Sequence, residues 1–216
     1  MRKYTGFLAL GFLCLAMLSF GQQKANLATA FQEQQIKAMN RTLSLNANYP
    51  DAVEMNASQG DGLGIFKEIS FESGTIEVEL LGENSPGRSF LGIAFNIEDK
   101  ESFEAIYFRP FNFVAKEPAR KAHMVQYINH PDFTWSKLRQ ERTGEFENEI
   151  PSPPDPDGWF KATIKVSEKY VKVFVDEKDE PVLKVERLAS ARSDKIGLWV
   201  GNGSSGRFRE LLISEE

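Results

Sequence analysis

Tyr107, Arg109, Asn112, Gln126, Trp135 and Arg139 form the densest run of groups suited to ligand recognition in this chain. Aromatic rings stack on the apolar C–H faces of a sugar, while amides and guanidiniums hydrogen-bond its hydroxyls or grip an acidic or keto group. In such a groove Trp135 stacks, Asn112 and Gln126 read hydroxyls, and Arg109 and Arg139 hold the acidic or keto group. The local pattern also supplies a rigid support. In Glu104-Ala105-Ile106-Tyr107-Phe108-Arg109 a period of two puts Ile106 and Phe108 on one face and Tyr107 and Arg109 on the other. The plainer alternative makes Trp135 a sheet-edge cap and pairs both arginines with nearby glutamates.

Carboxylates offer a second chemistry. Glycoside cleavage uses two carboxyl groups about 5–5.5 Å apart for retention or about 6.5–9.5 Å apart for inversion. Glu77 and Glu79 share one strand face, with α-carbons about 6.6–7 Å apart. Together with Glu104 they are the catalytic candidates of a runner-up reading, in which the same groove works as a glycoside hydrolase or lyase. Alternate glutamates on a strand are more often a solvated outer face. Glu145, Glu147 and Glu149 repeat the pattern but run straight into a proline-rich segment at 151–158. The two histidines, His123 and His130, fall short of the three or four ligands of a zinc site even with Asp132 nearby. No metal is assigned, and calcium, for which Asp51 or the turn at 96–99 offers oxygens, is the single cofactor considered. No Gly-x-Ser-x-Gly elbow is present, and the glycine-rich 201–206 lacks the lysine of a phosphate-binding loop.

The elements that must position these groups read as short strands between turns. Alternation predicts strands at 42–45, 63–69, 74–81, 89–96, 103–109, 123–128, 139–143, 160–167, 170–175, 182–185, 195–200 and 208–213. Phe160, Ala162, Ile164 and Val166 share one face, as do Val171, Val173 and Val175. The prolines of 151–158 cannot donate to a ladder and mark a surface loop or sheet crossing. Tyr49-Pro50-Asp51 reads as a turn. Residues 22–40, with Phe31, Ile36 and Met39 loosely at helical spacing, read as a short helix or disordered leader.

Composition bounds the partners. Arg2 and Lys3 precede an apolar run from Phe7 to Phe20, so residues 1–21 read as a secretory signal peptide, too short for a membrane span. Cys14, the only cysteine, falls inside that run and follows Leu13 rather than the small residue that lipidation needs. The exported chain therefore has no thiol for a disulfide or a nucleophile. Residues 41–216 suit one domain in a bacterial periplasm or outside the cell. A formal net charge of −5 argues against nucleic acid, and no membrane insertion is expected once the signal is cleaved. A carbohydrate or sugar derivative is the expected partner.

The order of motifs is itself informative. Gly74-Thr75-Ile76-Glu77-Val78, Gly92-Ile93-Ala94-Phe95, Tyr107-Phe108-Arg109-Pro110-Phe111-Asn112, Val125-Gln126-Tyr127 and Ile196-Gly197-Leu198-Trp199-Val200-Gly201 follow one another. The series resembles the concanavalin A-like lectin/glucanase superfamily, and is similar to bacterial secreted domains of the family of unknown function 1080, the 3-keto-disaccharide hydrolases. The resemblance implies an all-β, two-sheet antiparallel jelly-roll β-sandwich. It also implies a concave face open to carbohydrate and a last strand pairing near the first. Hydrolysis is not implied by the fold, which hosts binders, enzymes and structural envelope modules alike.

Overall fold

The computed structural model describes residues 22–189 and 192–215, so the signal-peptide expectation lies outside the described residues. Along the chain the elements are β1 (Gln22–Ala25), α1 (Leu27–Gln32), β2 (Ile36–Met39), β3 (Leu43–Asn46), β4 (Tyr49–Met55), β5 (Gly62–Ser70), β6 (Gly74–Leu81), β7 (Leu91–Phe95) and β8 (Phe103–Phe108). A 3-10 turn (Pro110–Asn112), α2 (Pro118–Lys121), β9 (Val125–His130), α3 (Trp135–Glu141) and β10 (Glu147–Asn148) follow. The chain then continues through β11 (Phe160–Val166), β12 (Tyr170–Val175), β13 (Leu183–Glu186), β14 (Lys195–Val200) and β15 (Gly206–Glu215).

These strands form two antiparallel sheets. An eight-stranded sheet runs β13-β12-β11-β6-β15-β4-β3, with β1 joined to β15, and a seven-stranded sheet runs β10-β9-β8-β7-β14-β5-β2. This is the jelly-roll sandwich that the sequence pattern anticipates. On β6 the inward set Ile76, Val78 and Leu80 is fully buried, and Ile164 of β11 lies opposite Ile76 in register. Each such Val, Ile or Leu contributes roughly 1.5–3 kcal/mol by leaving water. Phe108 of β8 meets Phe160 of β11 edge-on at 5.1 Å, which fixes the inner face of β8 as that of Ile106 and Phe108. Tyr107 and Arg109 therefore point away from the inter-sheet core.

The elements depart from the sequence reading in three places. Residues 139–143, expected as a strand, belong largely to α3, whose N-cap Thr134 accepts from the Lys137 amide through its hydroxyl at 3.4 Å. Of that helix Leu138 alone is buried, so it presents one apolar residue rather than an alternating face. The Tyr49-Pro50-Asp51 turn is the start of β4, where the register to β3 shifts between Leu45 and Asn46 and Pro50 has no ladder partner. Segment 22–40 contains the expected helix, and around it β1 pairs with β15 and β2 with β5, so the leader is woven into both sheets.

Candidate functional site

The open face of the seven-stranded sheet carries a cleft of about 600 Å³. α2, α3 and the 3-10 turn wall it, and Trp199, Phe90 and Phe111 line its floor. The floor depends on Gly92, which sits in register between Trp199 and Tyr107. A Cβ there would run into the Ile106 carbonyl, and without one the Trp199 and Tyr107 rings meet at 4.8 Å.

Four of the six residues expected to bind ligand, Arg109, Asn112, Trp135 and Arg139, line this cleft, and Tyr107 and Gln126 are hydrogen-bonded to Arg109 beneath it. Arg109 is only 5% exposed. Its Nη2 donates to the Tyr107 hydroxyl at 2.6 Å and also to Gln126 Oε1, while Nη1 donates to the His123 carbonyl at 3.1 Å. The Tyr107 hydroxyl donates in turn to Gln126 Oε1 at 3.0 Å. Burial pushes that phenol up to about 12 and pulls the Arg109 guanidinium below its ordinary value. Gln126 is fully buried beneath Arg109, and its Nε2 has no hydrogen-bond partner among the described residues. Asn112 donates to the His123 carbonyl at 3.0 Å and accepts from Arg120 Nε at 3.2 Å. Arg109 and Asn112 thus line the cleft with polar groups already engaged by the protein, and Tyr107 and Gln126 lie behind them.

Arg139 and Trp135 do face the cleft, both from α3. Trp135, 48% exposed, stands at the rim with the Arg139 guanidinium 5.1 Å from its ring centre. Arg139 grips Glu147 with Nε and Nη2 at 2.9 and 2.7 Å, a bidentate pair. Glu147, in register with Gln126 on β10, is almost fully buried and also has His123 Nδ1 at 2.8 Å and Arg109 Nη1 at 3.9 Å. Desolvation lowers the His123 pKa, against the pull of Glu147.

The opposite end of the cleft was not legible in the sequence. Asp61, at the foot of β5, lies 3.9 Å from His130 Nδ1, and both line the cleft beside Trp199 and Asn202. Burial raises the Asp61 carboxyl above its ordinary range and lowers the His130 imidazole. His130 Nε2 is buried and without a hydrogen-bond partner among the described residues. The two histidines thus face separate carboxylates.

The three expected catalytic carboxylates lie elsewhere. Glu77 and Glu79 project from the outer face of the eight-stranded sheet, paired with Lys161 and, at 2.6 Å, with Arg209. Glu104 is buried between the sheets, where it accepts from Arg187 at 2.6 and 3.1 Å, from the Tyr127 hydroxyl at 2.7 Å and from Asn96 at 2.8 Å. Strand alternation explains both outcomes: Glu104 shares the inward face of Ile106, and Glu77 and Glu79 alternate with the core set of β6. Asp51 pairs with Arg209 at 3.6 Å, and Asp99 accepts from the Glu101 and Ser102 amides of its own turn. Among the described residues no cluster of three or more His, Cys, Asp or Glu could hold a metal.

No known protein family matches the sequence, and no curated protein does. Solved structures do resemble the fold. The carbohydrate binding module CBM66 from Bacillus subtilis matches with a TM-score of 0.57 at 14% identity, over 83% of this chain and 96% of that one. A putative glycosyl hydrolase from Parabacteroides distasonis gives 0.53 at 9% identity, over 85% and 89%. The exoplasmic/lumenal domain of VIP36 in its Ca2+- and Man-bound form gives 0.53 at 11% identity, over 82% and 81%. At such identities the likeness shows the fold, a two-sheet antiparallel jelly-roll sandwich, and nothing finer.

Proposed function

We propose that this chain is an exported carbohydrate-recognising domain that binds a glycan or sugar derivative in the cleft on its seven-stranded sheet. The observation that carries the reading is the cleft itself: an aromatic floor, a half-exposed Trp135 at the rim and a few charged groups at either end. A sugar ring presents the matching surfaces, C–H faces for stacking and hydroxyls for the ends. Three fold neighbours point the same way, being named as a carbohydrate-binding module, a glycosyl hydrolase and a Man-bound lumenal domain. A structural envelope module has no need of such a cleft.

A second reading keeps the cleft and adds turnover by a glycoside hydrolase or lyase. One observation favours it: Asp61 and His130, displaced in opposite directions by the same burial, form an acid–base pair on the cleft wall. Glu77, Glu79 and Glu104 have no part in it. The test is a panel of glycans and oligosaccharides, 3-keto sugars included, incubated with the mature chain and read by thermal shift and product chromatography from the same wells. Stabilisation without products supports the binding module. New products that vanish in Asp61→Asn support the enzyme, and silence in both readouts refutes both.

A further inference from the structure

We infer that the end of the cleft between α2 and α3 is an anion subsite, so that the saccharide bound there carries a carboxylate or a sulfate. The inference rests on the carbohydrate reading and names its ligand class.

Hydrogen-bonding inventory leads to it. At this end the acceptors are already occupied: Asn112 Oδ1 by Arg120 Nε, and Gln126 Oε1 by Tyr107 and Arg109. Glu147 is sealed behind Arg139 and His123. What remains open is mainly donors. Arg139 spends Nε and Nη2 on Glu147, and its Nη1 makes no hydrogen bond among the described residues, on a side chain 31% exposed. Arg120, on α2, is pinned by neutral acceptors, the Asn112 side chain and the Phe111 carbonyl at 3.0 Å. The nearest carboxylate to its Nη1 is the solvent-exposed Glu117 at 3.7 Å. A neutral sugar hydroxyl would desolvate these guanidiniums without supplying a charge, whereas an anion answers both.

The charge balance agrees. Arg109, Arg120 and Arg139 oppose Glu117 and Glu147, three positive groups against two negative, an excess of one in a chain whose formal net charge is −5. The apolar floor beneath them lowers the local dielectric and strengthens attraction for an anion. Arg120 and Arg139 line the same cleft from two different helices, so a carboxylate or sulfate reaching both gains donors from two forks.

The test is calorimetric titration of the mature chain with three probes: an oligouronide, the same oligosaccharide with its carboxyls reduced to alcohols, and a sulfated oligosaccharide. At least one anionic probe should bind about tenfold or more tightly than the neutral one, with a preference that shrinks as salt is raised. Comparison of the two anionic arms tells carboxylate from sulfate. Arg120→Gln, at a side chain 44% exposed, should erase most of the preference with only the small fall in melting temperature that loss of its bonds to Asn112 and Phe111 brings, and circular dichroism should show the fold intact. Because Arg139→Gln alone would strand Glu147, the paired change Arg139→Gln with Glu147→Gln is the second variant, and it should erase the remainder. Equal affinity for the neutral and anionic probes, or a preference that survives both variants, overturns the anion subsite and leaves the carbohydrate reading standing. Failure of every saccharide to bind overturns both.

Discussion

Replacing Arg109 by alanine separates a wall residue from a ligand contact. The sequence alone suggests that this change abolishes binding and leaves stability almost untouched, and the structure reverses that expectation. Arg109 holds the Tyr107 hydroxyl, Gln126 Oε1 and the His123 carbonyl, lies 3.9 Å from Glu147, and is almost entirely buried. Removing one partner of a buried charged network costs about 3–5 kcal/mol. Glu147 keeps its bidentate Arg139, which places the loss near the lower end, about 3 kcal/mol. For a chain of this size each kcal/mol moves the melting temperature by about 2–4 °C, so a fall of roughly 6–12 °C is expected. Differential scanning calorimetry of the wild type and Arg109→Ala reads it directly. Arg109→Lys should recover little, since one ammonium cannot span Tyr107 and Gln126 as the planar fork does. A fall of less than about 2 °C would refute the assignment of Arg109 to the wall.

Further outcomes follow from the same geometry. Glu104→Ala leaves Arg187 buried without its carboxylate and should cost about 3–5 kcal/mol in chemical denaturation, with no change in saccharide affinity for the fraction that stays folded. Glu77→Gln and Glu79→Gln, on the far sheet, should each shift stability by less than about 1 kcal/mol and leave binding and any turnover intact. The folded-state pKa of His123 lies below its ordinary value of 6.5, so its contribution to stability is present above that value and is lost as pH falls through the folded value. Thermal melts should therefore show stability falling on acidification below pH 6.5, less steeply in His123→Gln. Trp135→Ala should weaken saccharide binding by about tenfold at an unchanged melting temperature, because the ring is half exposed and packs mainly on Arg139.

The sandwich was legible wherever one face of a strand meets the core and the other meets water. β6, β12 and β14 begin and end where the sequence pattern places them: Ile76, Val78 and Leu80 of β6 and Val171, Val173 and Val175 of β12 repeat at a period of two, whereas β14 is buried on both faces from Ile196 to Val200 and is marked by its apolar run. The pattern misleads at the periphery. β2 is four residues long and only Ile36 is buried, so its spacing passes for a helix. In α3 the N-cap at Thr134 and the lone buried Leu138 give too weak a helical period to see. The site shows the same limit in another form. Tyr107, Arg109, Asn112, Gln126, Trp135 and Arg139 do gather in one region, since β8, β9 and the segment after them are neighbours in the sheet. Trp135 and Arg139 face the cleft, whereas the polar groups of Tyr107, Arg109, Asn112 and Gln126 hydrogen-bond to protein, a difference of burial that a period of two does not report. Asp61, Phe90 and Trp199 come from distant stretches of chain joined by β14 and β7, a pairing that no local pattern records. His123, His130 and Glu147 were visible as residues, but their partners were not.

The chain's three tryptophans provide the most direct test of the central claim. Trp135 and Trp199 line the cleft, whereas Trp159 packs against Tyr49 and Arg209 on the eight-stranded sheet and serves as an internal control. The indole N–H signals of the 15N-labelled mature chain, assigned with single Trp→Phe variants, would be followed while oligosaccharides are titrated in. The expected result is a saturable shift of the Trp135 and Trp199 signals with Trp159 unmoved. Saccharide binding that shifts Trp159 alone, or a full panel that moves none of the three, would contradict the assignment of the cleft as a carbohydrate site.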